Sequence, residues 1–391
     1  MSVRTAPTAL PVTSATPGRP FGIYIHVPFC ATRCGYCDFN TYTPAELGGA
    51  NPAGWLAALR VELELAAAAL GTPPPVQTVF VGGGTPSLLG GDGLADVLDA
   101  VRGHFRLAAG AEVTTEANPE STSPRFFDQL LAAGFTRVSL GMQSAAAHVL
   151  AVLDRVHSAG RAPAAAAEAR AAGFEHVSID LIYGTPGESD DDLRRSVDTA
   201  IAAGIDHLSA YALVVEDGTA LARRVRQGLV ARPDDDVLAE RYELLDAQLA
   251  AAGLHWYEVS NWSRPGGECR HNLGYWDGGE WWGAGPGAHG YVGAIRWWNV
   301  KHPNAYASAL TERLLPVAEF EELDEEAAHT EEVMLRLRLA RGLPTDRLGA
   351  GEISRARTAE SDGLLARRGD RLVLTARGRL LADAVVRTVL D

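Results

Sequence analysis

Three of the four cysteines fall within eight residues, in Cys30-Ala-Thr-Arg-Cys34-Gly-Tyr-Cys37. One short loop with this spacing can set three thiolates at three corners of an iron–sulfur cubane, whereas ordinary [4Fe-4S] ligation takes four cysteines. The fourth iron would then keep an open position. It could take a chelating ligand as a Lewis acid, and the reduced cluster could pass that ligand one electron. The competing reading is a zinc centre, whose tetrahedron needs a fourth donor from His26 or the distant Cys269.

Other groups suited to such a centre are scattered along the chain. Gly82-Gly83-Gly84-Thr85-Pro86-Ser87 offers consecutive glycines whose N–H groups can approach a carboxylate closely. Glu116 closes a β-branched run and could accept from an ammonium or ribose hydroxyls. Gln143 in Gly-Met-Gln-Ser offers a donor and an acceptor. Asp180 stands in Ser178-Ile-Asp-Leu-Ile-Tyr-Gly184, and Arg155 follows Leu153-Asp154. Taken singly, each is equally well explained by capping or surface pairing. Tyr24 and Tyr36 flank the cysteine loop, where an aromatic ring either holds a heterocycle or belongs to the core. Farther on, Cys269-Arg-His271-Asn-Leu-Gly-Tyr-Trp276 and Gly283-Ala-Gly-Pro-Gly-Ala-His289 concentrate histidine, tryptophan and glycine. A histidine among aromatics there is either a metal donor or a satisfied core group.

These residues need elements to hold them. Short β-branched runs at Phe21–Val27, Val76–Val81, Ala111–Glu116, Arg137–Leu140, His176–Ile182 and His207–Leu213 alternate with Ala/Leu-rich stretches. The stretches Trp55–Leu70, Leu94–Phe105, Pro124–Ala133 and Asp191–Ala203 read as helices. Ala-Ala-Gly before an apolar residue recurs at 132–135, 171–174, 202–205 and 251–254, and glycine there closes a helix ahead of the next strand. The pattern predicts an α/β protein, a partial (β/α)6 barrel, with ligands beyond the carboxyl ends of the strands. Residues 1–20 read as a flexible leader and 21–215 as the barrel. Residues 216–304 read as an extension with a helix over Asp234–Leu249 and an aperiodic His/Trp-rich segment, and 305–391 as a C-terminal winged-helix-like α+β domain.

Composition bounds the rest. Hydrophobic residues at 47% and charged residues at 21% are globular values. The formal net charge of −14 repels nucleic-acid phosphates, and the C-terminal arginines are interleaved with Asp362, Asp370 and Asp383. Lys301 is the only lysine, so a Gly-Lys-Ser/Thr phosphate loop is absent. No apolar run is long enough for a signal peptide or a membrane span, which predicts a cytoplasmic protein with at most transient membrane contact.

The cysteine spacing, set in Tyr24-Ile-His-Val-Pro-Phe-Cys30 through Tyr36-Cys37-Asp38-Phe39, resembles the radical S-adenosylmethionine (radical SAM) family. Within it, the chain is similar to the branch that holds oxygen-independent coproporphyrinogen III oxidase and haem chaperones. The resemblance implies a [4Fe-4S] cluster on Cys30, Cys34 and Cys37, with SAM chelating the open iron. It implies Gly83, Gly84 and Thr85 at the methionine moiety, and Tyr24, Tyr36, Glu116, Gln143, Arg155, Asp180 and Ala212 near the cofactor. It also implies an electron donor such as a flavodoxin or ferredoxin. The oxidase has a further cysteine two residues after the third, where this chain has Phe39, so the resemblance favours a haem chaperone that delivers haem to acceptor proteins. A radical SAM oxidoreductase acting on coproporphyrinogen III or another tetrapyrrole is the alternative. Haem would be bound cargo, with His271 as the first candidate iron ligand, Cys269 the second and His289 the third. Arg264, Arg270 and Arg296 are candidate partners for its propionates.

Overall fold

The computed structural model describes residues 4–5, 10–11, 14–155, 158 and 160–391. A short strand β1 (Arg4–Thr5) precedes six strands that pair in parallel, in chain order: β2 (Phe21–Val27), β3 (Val76–Gly83), β4 (Leu107–Ala117), β5 (Arg137–Gln143), β6 (His176–Tyr183) and β7 (His207–Ala212). Helices over Pro52–Leu70, Gly90–Arg102, Pro124–Ala133, Arg161–Ala172 and Asp190–Ala202 follow successive strands. Their inward faces form one core with the strands, which are buried on both sides as crossover connections require. This is the partial barrel expected from the alternation. The recurring glycines perform as helix stops, since Gly134, Gly173, Gly204 and Gly253 all have positive φ, between 77° and 111°. Ser189 and Asp192 form a reciprocal cap at the start of the helix Asp190–Ala202.

The sheet continues where the sequence pattern fades. Strands β8 (His255–Glu258) and β9 (Asn261–Ser263) form a hairpin antiparallel to β7. Beyond the helix Arg270–Trp276, β10 (Glu280–Ala284) returns across the barrel to lie parallel to β2. Then β11 (His289–Val292), β12 (Ile295–Asn299) and β13 (Val317–Glu322) extend that edge in antiparallel order. The segment that reads as aperiodic is thus short strands, several with buried tryptophans on an inner face. Trp282 and Trp297 are fully buried with ring centroids 4.8 Å apart. The segment read as a flexible leader also contributes structure: β1 pairs with β13, and Thr16 donates to Glu280 from its N–H at 2.8 Å and from Oγ1 at 2.5 Å.

A second core lies at the C-terminus. It is built from the helices Glu325–Leu337, Ala350–Ser361 and Ala382–Leu390 and a three-stranded sheet of β14 (Leu343–Pro344), β15 (Leu365–Arg368) and β16 (Arg371–Leu374). It starts at Glu325 rather than at residue 305, because β13 still belongs to the large sheet and the helix Pro303–Thr311 packs on Pro52–Leu70.

Glu62 is buried in the helix Pro52–Leu70. It accepts from the Gly285 N–H (2.8 Å), Asn299 Nδ2 (2.7 Å) and the Tyr306 hydroxyl (2.6 Å), tying the helix to the Gly283–His289 loop. Burial pushes its carboxyl up to about 7. A carboxyl raised in the folded state stabilises below its unfolded pKa, and that contribution is lost as pH rises through the folded value. Stability should therefore fall between about pH 4.5 and 7, by on the order of 3 kcal/mol from this group. Urea unfolding midpoints measured across that range should show a shallower slope for Glu62→Gln than for the wild type.

Candidate functional site

A cavity of about 710 Å³ runs down the barrel from the carboxyl ends of the parallel strands, where Cys30, Cys34 and Cys37 line it, to Cys269, His271 and Tyr275 at its far end. The cysteine loop follows β2 at its mouth and has no regular structure of its own, so its shape is borrowed from its neighbours. The N–H of Cys30 donates to Tyr42 O (3.0 Å), Gly84 N–H to Val27 O (2.8 Å) and Thr85 N–H to Phe29 O (2.7 Å). A Cβ on Gly84 would lie 2.5 Å from Phe29 O and 3.0 Å from Cys30 Sγ, so the glycine turn after β3 can only lie this close without a side chain. On the other flank, Gly35 donates to Leu153 O (3.0 Å) and its carbonyl accepts from Leu221 N–H (2.7 Å).

All three thiols are free, half-buried and lining the cavity. Thr85 Oγ1 lies 3.6 Å from Cys30 Sγ, and Arg155 Nη1 lies 3.4 Å from Cys34 Sγ. Burial pushes the Cys30 thiol up and Cys37 up to about 11, so thiolate ligation has to be driven by a cation that replaces the protons. The fourth donors considered for zinc are not at this loop. His26 holds Tyr24 OH at Nδ1 (3.0 Å) and Asn40 O at Nε2 (2.9 Å), and Cys269 lies at the other end of the barrel against Glu112. Three thiols on one loop, a close glycine cradle and a flanking guanidinium fit an iron–sulfur cluster with one open corner.

The cavity wall gathers the other candidates. Glu116 at the end of β4 accepts from Gly83 N–H (3.1 Å), and burial together with nearby Asp180 pushes its carboxyl up to about 8. Asp180 on β6 accepts from Ser139 Oγ (2.9 Å) and is likewise raised by burial. Gln143 ends β5 with φ 66°. Arg155 bridges Cys34 and the Gly141 carbonyl (3.1 Å). Tyr24, Tyr36 and Ala212 complete the lining, and Phe39 stands 63% exposed at the mouth. The cavity therefore places two carboxyl groups, a guanidinium and backbone N–H groups around one volume beside the thiols, a set suited to a zwitterionic, cationic cofactor, whose positive charge would favour ionisation of the carboxyls.

The opposite end of the barrel is closed by the helix Arg270–Trp276. Glu112, buried on β4, pairs with Arg137 Nε (3.1 Å) and accepts the N–H groups of Arg270 (3.1 Å) and His271 (3.0 Å). The His271 ring is buried with Nδ1 at 2.8 Å from Thr78 Oγ1 and Nε2 at 2.7 Å from Tyr275 OH, and burial holds it down to about 4, hence neutral. The ring stacks on Phe80, which stacks on Tyr24, so aromatic contacts run from the middle of β2 to this helix along the cavity wall. Cys269 Sγ lies 3.6 Å from Glu112 Oε1, and burial pushes its thiol up to about 12. His271 also borders a second pocket of about 130 Å³ with Arg270, Tyr275 and Trp281. His289 lies elsewhere, exposed on β11 and stacked on Trp298. Arg296 is paired with Glu321 and Glu331.

Sequence reasoning passed over Glu112, Arg137 and His207. Arg137 is 1% exposed and also donates to Gly267 O (2.8 Å). His207 links Ser178 (2.7 Å) to Tyr257 OH (2.9 Å). A charged residue inside a predicted strand was the available signal for the first two.

A partial parallel barrel with a three-cysteine loop at its mouth defines a radical SAM protein. The Radical SAM superfamily model matches residues 24–200 and the HemN C-terminal domain model residues 323–381. A solved structure of Escherichia coli coproporphyrinogen III oxidase (HemN) shares the fold with a TM-score of 0.82 at 22% identity, covering 96% of this chain and 91% of that one. The chain is 71% identical over 390 residues to the heme chaperone HemW of Mycobacterium tuberculosis, covering 100% of each. It is 33% identical to that of Bacillus subtilis (93% of this chain, 97% of the relative) and 37% to that of Escherichia coli (73% and 75%). The chain belongs to the HemW family of radical SAM proteins. Membership of the radical SAM family implies a [4Fe-4S] cluster and SAM. Among the described residues, no helix is long and apolar enough to cross a membrane.

Gly84→Ala should push the cysteine loop and the glycine turn apart. Anaerobic iron and sulfide analysis after reconstitution should show cluster content well below wild type, with the thermal unfolding midpoint changed far less.

Proposed function

We propose that this protein binds haem and hands it to acceptor proteins, with a [4Fe-4S] cluster and SAM as resident cofactors. The observation that carries this reading is the likeness over the whole chain to relatives named heme chaperones, at 71% identity. Phe39, in the place where the oxidase has a further cysteine, supports it.

Cys30, Cys34 and Cys37 would hold the cluster. Gly83, Gly84 and Thr85 would hold the methionine end of SAM, with Glu116, Gln143, Asp180 and Arg155 about its polar groups and Tyr24, Tyr36 and Ala212 beside the nucleoside. When bound, the cluster supplies one electron and an open iron to the sulfonium compound. This chain's residues orient it: Gly83 N–H fixes Glu116, Ser139 fixes Asp180, and Arg155 sets its charge beside Cys34. Glu116→Gln should weaken SAM binding about tenfold in equilibrium dialysis, the scale of one charge-assisted hydrogen bond, while the cluster's absorption stays as in wild type.

His271 is the residue we assign to haem iron, with Cys269 as second candidate. Burial keeps the imidazole neutral, so its lone pair is available at working pH once Tyr275 or Thr78 yields its hydrogen bond. Arg270, at the same pocket, would face a propionate. The protein works in the cytoplasm, takes electrons from a small donor such as a flavodoxin or ferredoxin, touches membrane only transiently and does not bind nucleic acid.

A spectral haem titration tests this. His271→Ala should lower affinity at least tenfold and change the Soret band, while iron–sulfur content is kept. Turnover of coproporphyrinogen to protoporphyrinogen by reduced, SAM-loaded protein would overturn the chaperone reading in favour of the oxidoreductase.

A further inference from the structure

The helix that carries His271 is held at its two ends by different bodies. Its first turn is fixed by the barrel, where buried Glu112 accepts the N–H groups of Arg270 and His271. Its last turn ends at Asp277, whose N–H closes on Leu273 O (2.9 Å). Asp277 is gripped from the C-terminal domain: its carboxylate pairs with Arg341, and its carbonyl accepts from Arg336 Nη2 (3.0 Å). The same turn of the C-terminal domain reaches the helix from a second side. Leu339 forms a β-bridge with Glu258, and Ala340 N–H donates to Tyr257 O (2.9 Å). Glu258 in turn accepts from Asn272 Nδ2 (2.8 Å), a residue of that helix.

We propose that Arg336 and Arg341 are positioning residues through which the C-terminal domain holds the His271 helix shut, so that displacing this domain releases the helix for haem entry. The inference rests on the haem-site reading above.

Three observations favour a releasable clamp over a permanent joint. The two bodies have separate cores. The cross-domain contacts include charge pairs, Arg341 with Asp277, Arg296 with Glu331 (2.5 Å) and Arg379 with Asp246 (2.5 Å), the polar character of interfaces that open. The clamp also reaches solvent, with the Arg341 side chain 51% exposed, and Arg336 is already paired through Nε with Glu332 (3.1 Å), so its guanidinium keeps a partner when the Asp277 carbonyl leaves. Loosening the last turn reaches the ligand through Tyr275, which lies in that turn and holds His271 Nε2.

The test uses full-length, anaerobically reconstituted protein with hemin chloride as the probe. In Arg341→Met, amide exchange over residues 270–277 without hemin should accelerate about fivefold, the scale of one exposed ion pair, and hemin association in stopped flow should accelerate similarly. Exchange in β2 to β4 and iron content should stay as in wild type. Asp277→Asn should reproduce both effects, and the charge swap Asp277→Arg with Arg341→Asp should restore wild-type behaviour. Unchanged exchange in both single variants, or faster exchange with an unaltered hemin rate, overturns the clamp. Hemin binding indifferent to His271→Ala while exchange still responds to Arg341→Met would instead strike the haem-site reading.

Discussion

The close packing of two backbone segments, the cysteine loop after β2 and the glycine turn after β3, is the constraint on which the site depends. The cysteine loop has no regular structure of its own, and the glycine turn is the two-residue step, Gly84 and Thr85, between β3 and a 3-10 helix over Pro86–Leu89. The two segments are kept by hydrogen bonds from Gly84 and Thr85 to Val27 and Phe29, and by a separation too small for a side chain at Gly84. The parallel pairing of β2 with β3 sets that separation, so the thiols are positioned by the barrel rather than by their own loop. The parallel pairing of β3 with β4 in turn brings Gly83 within reach of Glu116, which joins the cysteine loop to the cavity wall.

The other end of the barrel is organised by a buried carboxylate. Glu112 would be costly to bury alone, but Arg137 and two N–H groups of the helix Arg270–Trp276 compensate its charge. Burial alone would push the carboxyl up, yet these partners hold it below its ordinary value. One residue therefore couples the barrel wall to the helix bearing His271. Tyr24, Phe80 and His271 are in ring contact in series and all line the same cavity, so the thiol-bearing volume and the candidate haem ligand share one interior.

Much of this was legible in the chain. The six parallel strands followed from β-branched runs separated by Ala-rich helices, and the helix stops from the repeated glycines, because crossover units leave a local signature at every turn. The cysteine loop was legible from spacing alone, and the family from the residues around it. The limits lay where tertiary partners decide. The helix Gly90–Arg102 starts ahead of the expected Leu94, since glycines weaken the helical pattern while Gly91 packs too tightly on Gln129 for any side chain. The strands after residue 255 are short, and their tryptophans carry no clear period. The return of β10 to pair with β2 is a long-range contact that no local pattern announces.

By itself, then, the sequence determined the chemistry available, three thiolates on one loop and a glycine turn beside them, together with the parallel α/β frame that carries them. Residue types and short spacings encode both. Tertiary structure alone decided which distant groups meet: Glu116 at the glycine turn, Glu112 under the His271 helix, and Arg341 on Asp277. These pairs are separated by tens to more than a hundred positions, and only the closing of the sheet and the docking of the second core bring their charges within bonding distance.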